Sequence, residues 1–156
     1  MRPIKYIVVH CSATREGQVI TAKDIDRMHR QRGFSGIGYH RFIRLDGTVE
    51  RGRDDDIPGA HVQGHNMDSI GICYAGGIDA AGKAKDTRTQ AQKASLLKVI
   101  NEYTVKHPNA KVLGHRDLSP DKNRNGKVDR HEWVKDCPCF DVREWMAEIG
   151  LAQTTN

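Results

Sequence analysis

Long hydrophobic runs are missing from this sequence, and no segment approaches the roughly 18 consecutive apolar residues of a membrane-spanning helix. Runs of five or six basic residues are also missing, so the usual sign of a nucleic-acid-binding protein is absent. Residues 1–10 contain only a short, interrupted apolar stretch, with no small-residue cleavage site after it. We therefore expect no membrane insertion, no nucleic-acid partner and no signal peptide, with synthesis in the cytoplasm.

Cysteine is scarce, with four residues in the chain. Cys11 and Cys73 lie in or beside apolar runs, and we expect both to be buried thiols. Only Pro138 separates Cys137 from Cys139, which is too close for an ordinary mutual disulfide. This spacing also differs from the C-x-x-C pattern of redox and zinc-knuckle sites.

The length of 156 residues corresponds to about one domain, and 37% hydrophobic residues provide for a modest core. We predict a single domain over residues 1–156. The net charge of +5 favours an anionic partner, such as nucleic acid, a membrane surface or an acidic cell-wall polymer. A solvated, mildly basic surface explains the same charge equally well.

Hydrophobic periodicity and turn residues predict alternating strands and helices. This alternation favours one α/β (α+β) domain in which helices flank a central mixed β-sheet. The predicted elements are a strand over Lys5–His10, a helix from Thr21 to Gly33, a hairpin over Tyr39–Arg51 with an Asp46-Gly47 type I′ turn, a strand over Ser69–Tyr74, a helix from Thr89 to about His107, a strand over Lys111–Gly114 and a helix over Asp141–Ile149.

Two capping boxes, Thr21 with Asp24 and Thr89 with Gln92, mark the starts of the first two helices. Gly150 is predicted to cap the last helix. The predicted inward residues are Ile25 and Met28 in the first helix, Ala94, Leu97, Ile100 and Tyr103 in the second, and Trp145 and Met146 in the last.

Residues 121–132 match the twelve-residue calcium loop of the EF-hand, with Gly126 at the sixth position. Because the preceding segment does not look helical, we expect a loop followed by a helix, as in half of an EF-hand. We hypothesise that calcium orders this loop and so places Lys135 and Cys137. The alternative is a polar surface turn that binds nothing. The candidate ligands are Asp121, Asn123, Asn125, the carbonyl of Lys127, Asp129 and Glu132.

His10 and His115 each stand at the end of a predicted strand, and Cys137 follows in a loop. Two imidazoles and one thiolate suit catalytic zinc, which keeps a fourth position open for water. Spacing alone does not establish the site, because a histidine at a strand end is more often structural. Cys139 is an alternative to Cys137 as the third ligand.

Several motifs occur in order along the chain and together are highly specific. The sequence resembles the zinc-dependent N-acetylmuramoyl-L-alanine amidases of the type-2 family, in particular the T7-lysozyme-like phage branch, which is related to peptidoglycan recognition proteins. The loop over residues 121–132 departs from that pattern as an insertion. The motifs are Val8–Thr14, Gly38-Tyr39-His40, Asp46–Glu50, Ser69-Ile70-Gly71, Gly76–Asp79, Gly114–Asp117 and Lys135–Pro138.

The resemblance implies that His10, His115 and Cys137 are the zinc ligands, and that Tyr39 and Lys135 are catalytic. It implies hydrolysis of the bond between N-acetylmuramic acid and L-alanine in peptidoglycan. His61, His65 and Asn66 precede a strand and are predicted to line the substrate cleft. His40 is expected in the core or behind the ligands. His29, His107 and His131 are expected at the surface.

The function implied by the resemblance is that of an endolysin, which acts on the cell wall after release from the host cytoplasm towards the periplasm. We expect the protein to be a monomer. Three alternatives remain open at this point. They are a non-catalytic peptidoglycan-binding module, a cytoplasmic amidase of recycled muropeptides, and a calcium-regulated interaction protein.

Overall fold

The computed structural model describes residues 2–154, and the side chains of residues 2–150. It contains a central five-stranded sheet and a separate pair of two-residue strands. The strands are β1 (Tyr6–Cys11), β2 (Thr14–Arg15), β3 (Arg41–Ile43), β4 (Val49–Arg51), β5 (Ser69–Tyr74), β6 (Gly77–Ile78) and β7 (Lys111–Gly114).

The central sheet has the order β4-β3-β5-β1-β7, in which only β4 runs antiparallel to its neighbour. Three α-helices accompany the strands: α1 (Ala22–Gln31), α2 (Gln90–Lys106) and α3 (Val142–Thr154). The predicted fold class, a mixed sheet flanked by helices, is confirmed. None of the helices in residues 2–154 has the length and apolar character needed to cross a membrane.

The alternation of side chains along β1 separates the core from the site. Val9 and Cys11 are buried in the apolar cluster beneath α2 and α3. His10 points to the opposite face, where its ring lies 5.0 Å from the ring of Tyr39. A second apolar cluster on that face joins Ile25 of α1 to Phe42 and Cys73. One strand therefore supplies both the core and a buried histidine.

Both predicted capping boxes are present at the helix starts, and the structure corrects the inward residues of α1. Ile25 is buried as expected, whereas Met28 is exposed. The inward position falls to His29, four residues after Ile25, since residues four apart share a helix face. The prediction that His29 is a surface residue is therefore wrong.

The inward face of α2 also differs from the prediction, because Ala94 is exposed and Leu97 is only half-buried. A repeated spacing of three residues drifts around a helix, so the predicted set was not one stripe. The observed stripe uses spacings of three and four. It consists of Gln92, Leu96, Val99, Ile100 and Tyr103.

The hairpin between β3 and β4 is confirmed, but its turn is not type I′. Gly47 donates a backbone hydrogen bond to Arg44 and has a φ of +88°, while Asp46 has no positive φ. These features describe a three-residue loop built on a type I turn with glycine in the left-handed position. An added side chain at Gly47 would also approach the backbone of Ala91 in α2.

The last helix continues through Gly150 to Thr154, so Gly150 is not its cap. Glycine inside a helix costs only about 1 kcal/mol, which packing elsewhere can offset. Trp145 and Met146 pack against the core as expected. The guanidinium of Arg88 stacks 3.4 Å from the ring centroid of Phe140 and 4.7 Å from that of Trp145, and so fastens the segment that follows Cys137.

Candidate metal centre and substrate cleft

Three predicted metal ligands meet at the carboxyl ends of neighbouring parallel strands. His10 lies near the end of β1, His115 follows β7 directly, and Cys137 lies in the segment before α3. Their ligand atoms all lie within 4.8 Å of one another. The backbone N–H of Arg116 donates to the carbonyl of Cys137 at 3.0 Å, which ties the two later ligand segments together.

The distances within this cluster fit a tetrahedral zinc ion. Bonds of about 2.3 Å to sulfur and about 2.05 Å to nitrogen at the tetrahedral angle place the two atoms about 3.6 Å apart. The observed distance from Cys137 Sγ to His10 Nδ1 is 3.7 Å. The backbone N–H of Cys11 donates to Cys137 Sγ at 3.2 Å, which fixes the position of the sulfur. The donor set therefore suits zinc.

The second nitrogen of His10 is held by a histidine that sequence reasoning placed among the substrate-binding residues. His10 Nε2 lies 2.8 Å from His61 Nδ1, and His61 Nε2 lies 3.1 Å from Ser69 Oγ. An Nε2–H on both rings satisfies this chain and leaves His10 Nδ1 free for the metal. Such a hydrogen bond behind a ligand fixes the tautomer and orientation of its ring.

Burial keeps the imidazoles of the site neutral, as metal ligation requires. Desolvation lowers the pKa values of His10 and His61 well below the usual value of histidine. Desolvation, followed by the charge of Lys135, lowers the pKa of His115 to about 4. The rings are therefore unprotonated at neutral pH and can offer a lone pair to a cation.

The position of His61 depends on a glycine and an asparagine. A side chain on Gly71 of β5 would lie 2.6 Å from the His61 ring, so the absence of one provides the space. Asn66 Oδ1 accepts the backbone N–H groups of His61 and Val62, each at 2.9 Å. Asn66 and His65 both line the cleft, and the ring of His65 packs edge-on against Tyr6 at 5.5 Å.

The two predicted catalytic residues line the same cleft as the three ligands. Tyr39 is half-buried, and desolvation together with the neighbouring thiol of Cys73 raises its pKa well above the usual value. It is therefore a neutral phenol and a hydrogen-bond donor. Lys135 is exposed, two residues before Cys137.

The remaining histidines fall into two groups. His29 and His40 are buried and bind backbone: His29 Nδ1 accepts the N–H of Gly38 at 2.9 Å, and His40 Nδ1 accepts that of Gly71 at 3.0 Å. The expectation that His40 lies in the core is confirmed. His131 is exposed and His107 is half-buried.

The structure separates the two candidate cysteines. Cys137 belongs to the metal cluster. Cys139 does not, and its Sγ lies 3.7 Å from Cys11 Sγ. Cys139 adopts a φ of +70°, which is unusual for a residue other than glycine. Cys11 and Cys73 are buried free thiols, as expected.

The side-chain oxygens of the loop over residues 121–132 accept hydrogen bonds from the loop itself. Asp121 accepts the N–H of Gly126 at 2.8 Å, and Asp129 accepts both asparagine side-chain amides. The buried Glu132 accepts backbone N–H groups at both ends of the loop. Ligand atoms of Asp129, His131 and Glu132 lie within 4.8 Å of one another, and Asp121 is not part of that group.

The segments flanking this loop differ from the expected half EF-hand. The loop ends in a short 3-10 turn over Arg130–Glu132, and the next α-helix begins only at Val142. Arg116 and Arg130 stack on Trp133 at 3.9 and 5.8 Å, which holds the chain in a bend at that point. The prediction of a helix directly after the loop is therefore wrong.

Comparison with known proteins agrees with this geometry. The family model described as N-acetylmuramoyl-L-alanine amidase matches residues 1–133. The endolysin of Klebsiella phage KP32 is 39% identical over 93% of this chain and 87% of its own length. The amidase LysC from Clostridium intestinale, a solved structure, is 28% identical with a TM-score of 0.73 over 96% of this chain and 87% of its own.

A more distant likeness extends the comparison to animals. The Drosophila peptidoglycan recognition protein LB is 22% identical, with a TM-score of 0.68 over 94% of this chain and 81% of its own. At that identity the likeness shows a shared fold. The family model and the phage endolysin, which cover most of the sequence, establish more: the chain belongs to the N-acetylmuramoyl-L-alanine amidase family and is a peptidoglycan-cleaving amidase.

Proposed function

We propose that His10, His115 and Cys137 bind zinc, and that the protein uses this centre to cleave the bond between N-acetylmuramic acid and L-alanine during bacterial lysis. The observation that supports the proposal most directly is the 3.7 Å distance between Cys137 Sγ and His10 Nδ1 in a cluster that opens into the cleft. Bound zinc supplies a Lewis acid and a water whose pKa falls to about 7.

The side chains around the cluster have separate roles in this proposal. Lys135 stabilises the negative charge that develops on the scissile carbonyl oxygen, because its ammonium group lines the cleft beside His115. Tyr39, as a neutral phenol 5.0 Å from the His10 ring, donates a hydrogen bond that orients the attacking water. His65 and Asn66 contact substrate from the wall of the cleft.

We expect His61→Ala to weaken zinc binding by about 10- to 100-fold, because His10 then loses the partner that fixes its ring. The matched control is His65→Ala, which removes another imidazole from the cleft wall, one whose ring packs on Tyr6. Zinc affinity is measured by competition with a chromophoric chelator. Equal zinc affinity for both variants would contradict the role assigned to His61.

If His61→Ala does not fold, Ser69→Ala tests the same series of hydrogen bonds with a smaller change. It removes only the hydroxyl that lies 3.1 Å from His61 Nε2. A smaller loss of zinc affinity, in a protein with an unchanged circular dichroism spectrum, is the expected result.

The proposed reaction is tested by mass spectrometry of purified peptidoglycan after incubation with the zinc-loaded protein. Free stem peptides that begin with L-alanine, together with peptide-free glycan, are expected. Intact muropeptides would instead favour a binding module or a smaller, soluble muropeptide substrate. We propose that the protein acts as a monomer and reaches the wall after release from the cytoplasm. The corresponding test in vivo is whether bacterial cells lyse when the protein is produced inside them.

We also propose that calcium binds the loop over residues 121–132 and orders the path to Lys135 and Cys137. The oxygen pattern of the sequence supports this proposal, as do the carboxylates of Asp129 and Glu132, which already lie close together. The nearby cations Lys122, Arg124, Lys127 and Arg130 reduce the attraction for calcium, so we expect moderate affinity.

Calcium at about 100 times its dissociation constant should stabilise the protein by about 2.7 kcal/mol, which corresponds to a rise in Tm of about 5–10 °C. Asp129→Asn is expected to abolish most of this rise. Glu102→Gln, which removes one exposed charge from α2, is the matched control. A Tm that does not respond to calcium in the unmodified protein would refute the proposal.

A further inference from the structure

The cleft above the metal cluster has no acidic side chain among its described lining residues. Its cations are Arg32 and Lys135. With two cationic side chains and no carboxylate in its described lining, the cleft favours an anionic part of the substrate.

Arg32 differs from the other arginines at this end of the molecule. Arg27 and Arg30 of α1 form ion pairs with Asp24 and Asp26. The guanidinium carbon of Arg32 lies 5.3 Å from the ring centroid of Phe34, and no carboxylate lies within 4 Å of it in the described part of the chain. An exposed arginine is ordinarily solvated, but this one is stacked on a ring in the wall of the cleft.

A row of aromatic contacts connects Arg32 to the metal cluster. The ring of His10 lies 5.0 Å from that of Tyr39, which lies 5.4 Å from that of His29. The ring of His29 in turn lies 5.3 Å from that of Phe34, on which Arg32 stacks. Lys135 lies beside the cluster, whereas Arg32 stands at the other end of this row of rings.

The chemistry of the substrate determines what can occupy that end. The lactyl carboxyl of N-acetylmuramic acid is consumed in the scissile amide, and the hydroxyl and acetamido groups of the sugars are uncharged. Free carboxylates therefore remain only on the peptide side of the bond. A guanidinium suits a carboxylate because it can donate two parallel hydrogen bonds.

We propose that Arg32 is a specificity-determining residue that binds a free carboxylate of the stem peptide beyond L-alanine. This inference rests on the proposed amidase reaction. It assigns the α1 wall of the cleft to the peptide, and it predicts that substrates with that carboxylate are preferred over those in which it is a carboxamide.

The test uses pairs of soluble N-acetylmuramoyl peptides that differ only in whether one residue beyond L-alanine has a carboxylate or a carboxamide. The zinc-loaded protein should prefer the carboxylate member of one pair by about tenfold in kcat/KM, mainly through KM. Arg32→Gln should cleave both members equally. Arg27→Gln, with the same loss of charge outside the cleft, should keep the preference.

A preference that survives in Arg32→Gln would overturn the inference, as would its equal loss in both arginine variants. Binding separates this outcome from a failure of the proposed reaction. Calorimetry with the free stem peptides should show a similar ratio of Kd values in the unmodified protein and none in Arg32→Gln. If neither substrate is cleaved but this ratio is found, Arg32 keeps its role and the reaction is wrong. Equal Kd values for the two free peptides would overturn the role of Arg32.

Discussion

Replacing Cys137 with serine is expected to lower zinc affinity by at least about 100-fold and to reduce cleavage of peptidoglycan to background. Cys137 is the one cysteine in the proposed ligand set, and its Sγ lies at tetrahedral spacing from His10 Nδ1. A serine hydroxyl is not ionised at neutral pH and is a poor zinc ligand. Metal content and chelator competition measure the first effect, and mass spectrometry of the products measures the second.

Cys139→Ser is the matched control, because it makes the same change two residues away. Cys139 Sγ lies against Cys11 Sγ and belongs to no metal cluster among the described residues. This variant should keep its zinc and its activity. The opposite pattern, with zinc lost from Cys139→Ser and kept by Cys137→Ser, would require a different ligand set and a rearranged segment before α3.

The helix starts were predictable to the residue because their determinants are local. Thr21 with Asp24, and Thr89 with Gln92, form hydrogen bonds over three residues, so the sequence shows both partners together. The buried faces were harder, since they depend on the angle at which a helix meets the sheet. His29 and Leu96 take the inward positions because of contacts with distant residues, which local periodicity does not specify.

The same distinction applies to the site. Strand ends could be predicted at His10 and His115, but the parallel pairing that joins β1 to β7 is a long-range feature. With eight histidines in the chain, resemblance to a family was needed to select two as ligands. The hydrogen bond from His10 to His61 spans 51 positions of the sequence. Its clearest trace in the sequence is Gly71, which leaves space for the His61 ring, but a glycine can be interpreted in this way only once that packing is known.

Lys135→Met should reduce kcat by about 100- to 1,000-fold while zinc affinity and KM change little. In the proposed role, the ammonium group stabilises negative charge that develops only in the transition state. Its removal should therefore affect the chemical step more than substrate binding. Steady-state kinetics with a soluble muramoyl peptide measure both constants. Lys98→Met, on the exposed face of α2, controls for the loss of one positive charge.

Lys135→Arg distinguishes a transition-state role from a role in binding the anionic peptide. Arginine retains the charge but cannot reproduce the compact ammonium group, so kcat should recover only in part. If Lys135→Met instead raises KM and leaves kcat unchanged, Lys135 acts in ground-state binding, as proposed for Arg32. The two cations of the cleft would then share one function, and stabilisation of the oxyanion would have to come from another donor, such as Tyr39, whose ring lies 5.0 Å from that of His10.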